Sequence, residues 1–141
     1  MFHVSTEALL ESLNQSGELR TCLDAHKEDF IAQSLPEALA ALLEKKGLTR
    51  AEAIRSALLN PIYGQQIFAG TRTPSRNKLL AIAFGLGLSF QETNLFLKQQ
   101  GYPQLYPKIE RDAVIIYGLL HKISILDINT ELYENDLETL L

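Results

Sequence analysis

Helix starts and helix stops alternate along this chain, and that alternation constrains its fold more than any other feature. Ser34-x-x-Glu37, Thr49-x-x-Glu52, Ser89-x-x-Glu92 and Ser124-x-x-Asp127 each set a hydroxyl three residues before a carboxylate. In the first turn of a helix the hydroxyl accepts from an orphan N–H. The carboxylate reaches back to the cap N–H and favours the positive end of the helix dipole. Asp127 is a shorter arm than Glu, so the last of these boxes is the weakest. Pro36 falls within a first turn, where its missing donor costs little. Gly47, Gly70, Gly87 and Gly101 follow apolar-periodic stretches, as left-handed residues past a helix end do. No apolar–polar alternation runs long enough for a strand. The pattern predicts an all-α chain with helices at about 5–14, 18–31, 35–46, 50–58, 61–69, 75–86, 90–100, 108–121 and 125–134.

The middle five helices read as one domain over 34–101. Leu39, Leu42 and Leu43 give its first helix an apolar stripe; Leu79, Leu80, Ile82, Ala83 and Leu86 do the same for its fourth, and Leu95, Phe96 and Leu97 for its fifth. An acidic helical arm, 1–33, precedes it. After it comes the segment Tyr102 to Pro107, stiffened because each proline restricts itself and its predecessor. Two further helices within 102–141 are strongly apolar, through Ala113, Val114, Ile116, Tyr117 and Leu120, then Ile123, Leu126, Ile128, Leu132 and Leu137. Such a surface either caps the five-helix unit or pairs two chains. The second choice is favoured here, with Val114, Tyr117, Leu120, Leu126 and Leu132 as the dimerisation residues.

Charge is segregated. Between Lys45 and Lys78 lie Lys45, Lys46, Arg50, Arg55, Arg72, Arg76 and Lys78 against Glu52 alone, a net of +6, while the rest of the chain sums to −10 and the whole to −4. An acidic protein that gathers its cations on one segment presents that segment to a polyanion. A 46 % hydrophobic, 21 % charged composition argues for a folded domain. A single cysteine, Cys22, excludes an intramolecular disulfide and suits a reducing compartment. The N-terminal residues lack the pattern of a signal peptide, and the apolar run from Ala113 to Leu120 is too short to span a bilayer. A cytoplasmic, non-membrane protein is the expectation.

Within the basic segment, Thr49 to Gly70 reads as two short helices and a turn, followed by Arg72, Pro74 and Ser75. With Lys46-Gly47-Leu48-Thr49, Ile67, Gly70, Leu79, Ile82-Ala83, Leu86 and Leu88-Ser89, the arrangement resembles the phage-repressor-like (XRE, Cro/C1-type) helix–turn–helix regulators of bacteria, without a gap over about 35–100. The resemblance implies a five-helix lambda-repressor-like DNA-binding domain, extended by the N-terminal arm and the two C-terminal helices. It implies a sequence-specific transcriptional regulator that binds double-stranded DNA as a homodimer and lays helix 61–69 in the major groove. Gln65 and Gln66 would read bases, with Ile62 and Tyr63 beside a thymine methyl or sugar edge. Arg50, Arg55, Thr71, Arg72, Arg76 and Lys78 would hold phosphates. The chain departs from the family at four places. Arg50 replaces a glutamine, Ile54 a small residue, Leu58 the turn glycine and Gly64 a β-branched core residue. Ile54 would fill the space that Gly64 leaves.

The remaining chemistry-bearing residues have plain explanations. Tyr63, Phe68, Phe84, Phe96, Tyr102 and Tyr117 sit at helical spacing and read as core. Cys22 reads as a small buried hydrophobe. His3, His26 and His121 share no metal-ligand spacing with it. Glu134, Asp136 and Glu138 read as a solvated acidic tail. No phosphate-cradling glycine loop and no nucleophile–base pair is present, so an enzyme, a metal and a cofactor are not expected. Two other readings keep the fold without operator binding: a protein-interaction adaptor, and an antitoxin-like protein whose arm covers a partner. A regulatory protein partner also fits, since no small-molecule sensor is evident.

Overall fold

A computed structural model describes residues 5–15, 17–25 and 34–141. These residues form nine α-helices and no strand: α1 (Thr6–Gln15), α2 (Leu19–Ala25), α3 (Leu35–Lys46), α4 (Arg50–Ser56), α5 (Pro61–Ala69), α6 (Arg76–Leu86), α7 (Phe90–Gln99), α8 (Glu110–Leu120) and α9 (Ile125–Glu134). The chain divides into two compact units, Met1–Ile31 and Ala32–Leu141. In the first, Ser5 Oγ accepts from Ala8 N at 3.1 Å to start α1, Leu10 and Leu13 are exposed, and Cys22 is buried. The helix predicted over 18–31 is described only as far as Ala25; the rest of it, and His3 and His26, lie outside the described residues.

In the second unit the caps are where the sequence sets them. Thr49 and Ser89 form complete capping boxes with Glu52 and Glu92, while Ser34, Ser75 and Ser124 accept from the N3 N–H alone. Gly47, Gly70 and Gly87 end their helices in the left-handed conformation.

One core runs through this unit. Leu39, Ile54, Ile67, Phe68, Leu79, Leu80 and Ile82 pack in a single cluster that also takes in Phe96, Leu105, Ile115, Leu119, Ile128, Leu132 and Leu140. Helices α4 and α6 approach closely enough that a Cβ on Gly85 would stand 2.5 Å from the Ala53 carbonyl oxygen and 2.8 Å from Ala57 Cβ. Phe84 of α6, Gly118 of α8 and Ile128 of α9 converge, so that a side chain at 118 would collide with Ile128. The C-terminal helices therefore cap the preceding five. The division at 101/102 expected from the sequence is not a break in packing, and Leu132, expected at a dimer interface, is fully buried core. Leu95, placed in an apolar stripe by its spacing, is exposed instead.

Polar latches fasten the 102–109 connector. The Asn94 side chain accepts from Leu105 N at 2.7 Å and donates to Leu105 O at 3.3 Å, which seats Leu105 in the core. The Tyr102 hydroxyl donates to Pro74 O. The terminal segment is likewise docked rather than solvated. Asn129 Oδ1 accepts from Leu140 N and Leu141 N at 2.8 and 3.2 Å, and Arg111 Nε donates to Glu138 O at 2.8 Å. Glu134, Asp136 and Glu138 remain exposed, and Glu138 also accepts from Asn77 Nδ2 at 3.3 Å.

Candidate nucleic-acid interface

The segment from Thr49 to Ser75 builds a surface of its own. Ala57 caps the end of α4, and Leu58 takes φ +57°. Leu59 N donates to Ile54 O and Leu58 N to Arg55 O, the paired bonds with which a left-handed residue closes a helix. Asn60 then starts α5: its Oδ1 accepts from Ile62 N at 2.9 Å and Tyr63 N at 3.1 Å, and Pro61 fills the first helical position.

The two departures at 54 and 64 compensate each other. An added Cβ on Gly64 would lie 2.7 Å from Ile54 Cγ2 and 2.9 Å from Cγ1. The Ile54 side chain of α4 thus occupies the space that Gly64 leaves on α5.

With Gly64, Ile67 and Phe68 turned inward, α5 presents Pro61, Ile62, Gln65 and Ala69 to solvent, and Ile62 is 73 % exposed. Tyr63 and Gln66 are half-buried and share a partner. Arg72 Nε donates to Gln66 Oε1 at 2.9 Å, and the Arg72 guanidinium carbon lies 5.1 Å above the Tyr63 ring. Stacking and the hydrogen bond both restrict where this guanidinium points. Gln66 keeps its amide NH2 for donation, but its oxygen is engaged. Gln65 is exposed with no such commitment. A two-point hydrogen bond from a carboxamide needs both of its ends, a condition that Gln65 meets and Gln66 does not. The Thr71 hydroxyl donates to Gln66 O at 3.3 Å, leaving its oxygen to accept.

The expected phosphate ligands separate into two groups. Arg50, Arg55 and Arg72 are exposed, Lys78 is half-buried, and none is ion-paired among the described residues. Arg76 is engaged inside the fold. It donates from Nε to Pro103 O at 2.9 Å and from Nη2 to Gln104 O at 3.2 Å, and it pairs with the buried Asp112 through Nη2–Oδ2 at 3.2 Å. Asp112 also accepts from Tyr106 N at 3.0 Å. This cation ties α6 to the connector and to α8, and is removed from the surface cluster.

Lys45 and Lys46 are committed as well. Both reach Glu92, at 2.8 and 2.9 Å, joining the end of α3 to the start of α7. The Lys45 ammonium, then the Ser89 N–H and Lys46, hold the Glu92 carboxyl down at about 2 against a burial effect of opposite sign. Glu52 is likewise lowered, chiefly by the Thr49 backbone N–H of its capping box. Of the seven cations counted in the sequence, four thus form no ion pair among the described residues.

Asp112, Asn94 and Glu92 as connectors between helices were not foreseen. The capping-box position of Glu92 was readable, but its lysine partners lie 46 and 47 residues away, and Asp112 and Asn94 carried no signal at all. Among the described residues, no group of His, Cys, Asp and Glu converges on a position for a metal ion, and no helix is long and apolar enough to cross a membrane. Compared with protein-family models, curated proteins and solved structures, the chain finds no match in any of the three.

Proposed function

We propose that this chain is a sequence-specific DNA-binding regulator of the phage-repressor-like helix–turn–helix type, with α5 as the recognition helix and α4 crossing the backbone. The observation that carries this reading is the surface around α5. Gln65 stands exposed on the helix, while the exposed Arg50, Arg55 and Arg72 form no ion pair among the described residues. Gln65 reads adenine; the NH2 of Gln66 donates to a base acceptor; Arg72, held by Tyr63 and Gln66, meets phosphate or guanine. Ile62 meets a thymine methyl. Pairing of two chains on half-sites about 34–36 Å apart belongs to this reading. The exposed Leu120 and Leu126 are available for that pairing; Leu132 is not.

The test is fluorescence anisotropy of pooled random duplex DNA against the protein and an Arg50→Glu, Arg72→Glu variant, at several salt concentrations. The wild type should bind with a steep salt dependence, and the variant should lose binding to all sequences. Arg76 is unsuitable for this purpose because its replacement would disturb the fold. Absence of binding at low salt would sink the proposal.

A protein-interaction adaptor is favoured by one observation. The outer face of α5 carries an open apolar depression lined by Pro61, Ile62 and Ala69 alongside Gln65, Gln66 and Thr71. An Ile62→Lys variant separates the two readings: added charge strengthens non-specific DNA binding and abolishes apolar docking.

A further inference from the structure

The outer face of α8 is not explained by the core. Ile115, Ile116 and Leu119 point inward, yet Ala113, Val114 and Tyr117 line a groove of about 850 Å³ between α8 and α9. A helix that is apolar on opposing faces is normally covered on both. Ile123 and Ile128 complete the apolar floor. Tyr117 is 55 % exposed, and its ring lies against His121, tilted by 33° with centroids 4.1 Å apart.

The rim has a single sign. Glu110 stands on the α8 side and Asp127, Glu131 and Glu134 on the α9 side; no lysine or arginine lines the groove. None of these four carboxylates is ion-paired among the described residues, although Glu92 and Asp112 elsewhere in the unit are. We propose that this groove docks a basic amphipathic helix from a partner protein. Its apolar side chains at i, i+3, i+4 and i+7 would lie on Val114, Tyr117 and Ile123, and its flanking Lys or Arg would meet the acidic rim. A second copy is the weaker occupant, because a two-fold pairing of the groove with itself sets like carboxylates against one another. Helix α9 is ten residues long, so the occupant is matched by about three helical turns.

This proposal does not depend on DNA binding, and its test contains no nucleic acid. The full chain, labelled with ¹⁵N, is titrated with a synthetic peptide of about three turns that has leucine at the four spaced positions and lysine elsewhere. A second peptide replaces lysine with glutamate, and a third replaces leucine with serine. Amide shifts should concentrate at Val114, Tyr117, Ile123, Glu131 and Glu134 for the first peptide only. Affinity should fall about tenfold or more in a Glu131→Lys, Glu134→Lys variant and in a Val114→Ser variant, both checked for an unchanged thermal melt. Equal binding of the serine peptide, shifts spread over other acidic surfaces, or unchanged affinity in the variants would overturn it. So would concentration-dependent self-association in sedimentation that the same variants abolish, since the groove would then belong to a second copy.

Discussion

Leu58 holds a left-handed backbone, φ +57°, where an L side chain costs about 1–2 kcal/mol relative to its preferred basins. The hydrogen bonds from Leu58 and Leu59 back into α4 hold it there. Its side chain is nearly half exposed and contributes little to the core, so relief of strain should outweigh lost contact. A Leu58→Gly variant is expected to gain about 0.5–1 kcal/mol, read as a higher urea midpoint at unchanged slope. This strain was legible beforehand, because the pattern that the sequence resembles has glycine there and turn geometry is decided within four residues. Arg76 was the opposite case. Its spacing after Pro74-Ser75 matched a phosphate ligand, but its partner Asp112 lies 36 residues away, and neither residue marks the other in the sequence. A charge count treats every cation as exterior, and only packing shows which ones the fold has consumed. Gln66 shows the same thing on a smaller scale: its type suggested a two-point base contact, and Arg72 has taken the oxygen.

Helix ends were the most readable elements, because capping chemistry is complete within a single turn. Thr49 and Ser89 close with Glu52 and Glu92 as their spacing suggests, and the boundaries of α3, α5 and α9 agree with the caps that flank them. Helix faces were less readable. Helix α9 carries Leu126 and Leu132 alike, yet one is 60 % exposed and the other fully buried, since periodicity gives a stripe without saying what covers it. The joint between α3 and α7 offers a test at this scale. Glu92 in the folded chain titrates at about 2, below its ordinary 4.5, so its charge contributes stability that is complete above about pH 4.5 and fades as pH falls toward 2. Glutamine keeps the capping geometry but not the charge. A Glu92→Gln variant should be less stable by about 1 kcal/mol at pH 7, a modest value because Lys45 is largely solvated, and the difference should close near pH 2. Chemical denaturation across that range would measure it; a difference constant with pH would mean that the charge contributes nothing.

Across the whole of Ala32–Leu141, a single hydrophobic cluster joins the five central helices to α8 and α9. Two-state unfolding follows, with the C-terminal helices melting together with the helix pair that carries the basic surface. Leu132→Ala, which opens a cavity in α9, should lower stability by about 2–5 kcal/mol and shift tyrosine fluorescence and helical circular dichroism together. An early, separate transition in the variant would show that 102–141 melts independently. The sequence offered capping and dimerisation as alternatives for these helices, and hydrophobicity alone does not choose between them. The capping shows only in details such as the fit of Ile128 against Gly118 and the seating of Leu105 by Asn94. A last consequence concerns heredity. Recombination at the 102–107 connector would part Asn94 from Leu105 and Arg76 from Asp112, leaving a bare core on one fragment and a stranded carboxylate on the other. The α4–α5 pair is therefore not a cassette to be lifted out and fused elsewhere on its own; its stability is shared with the C-terminal helices.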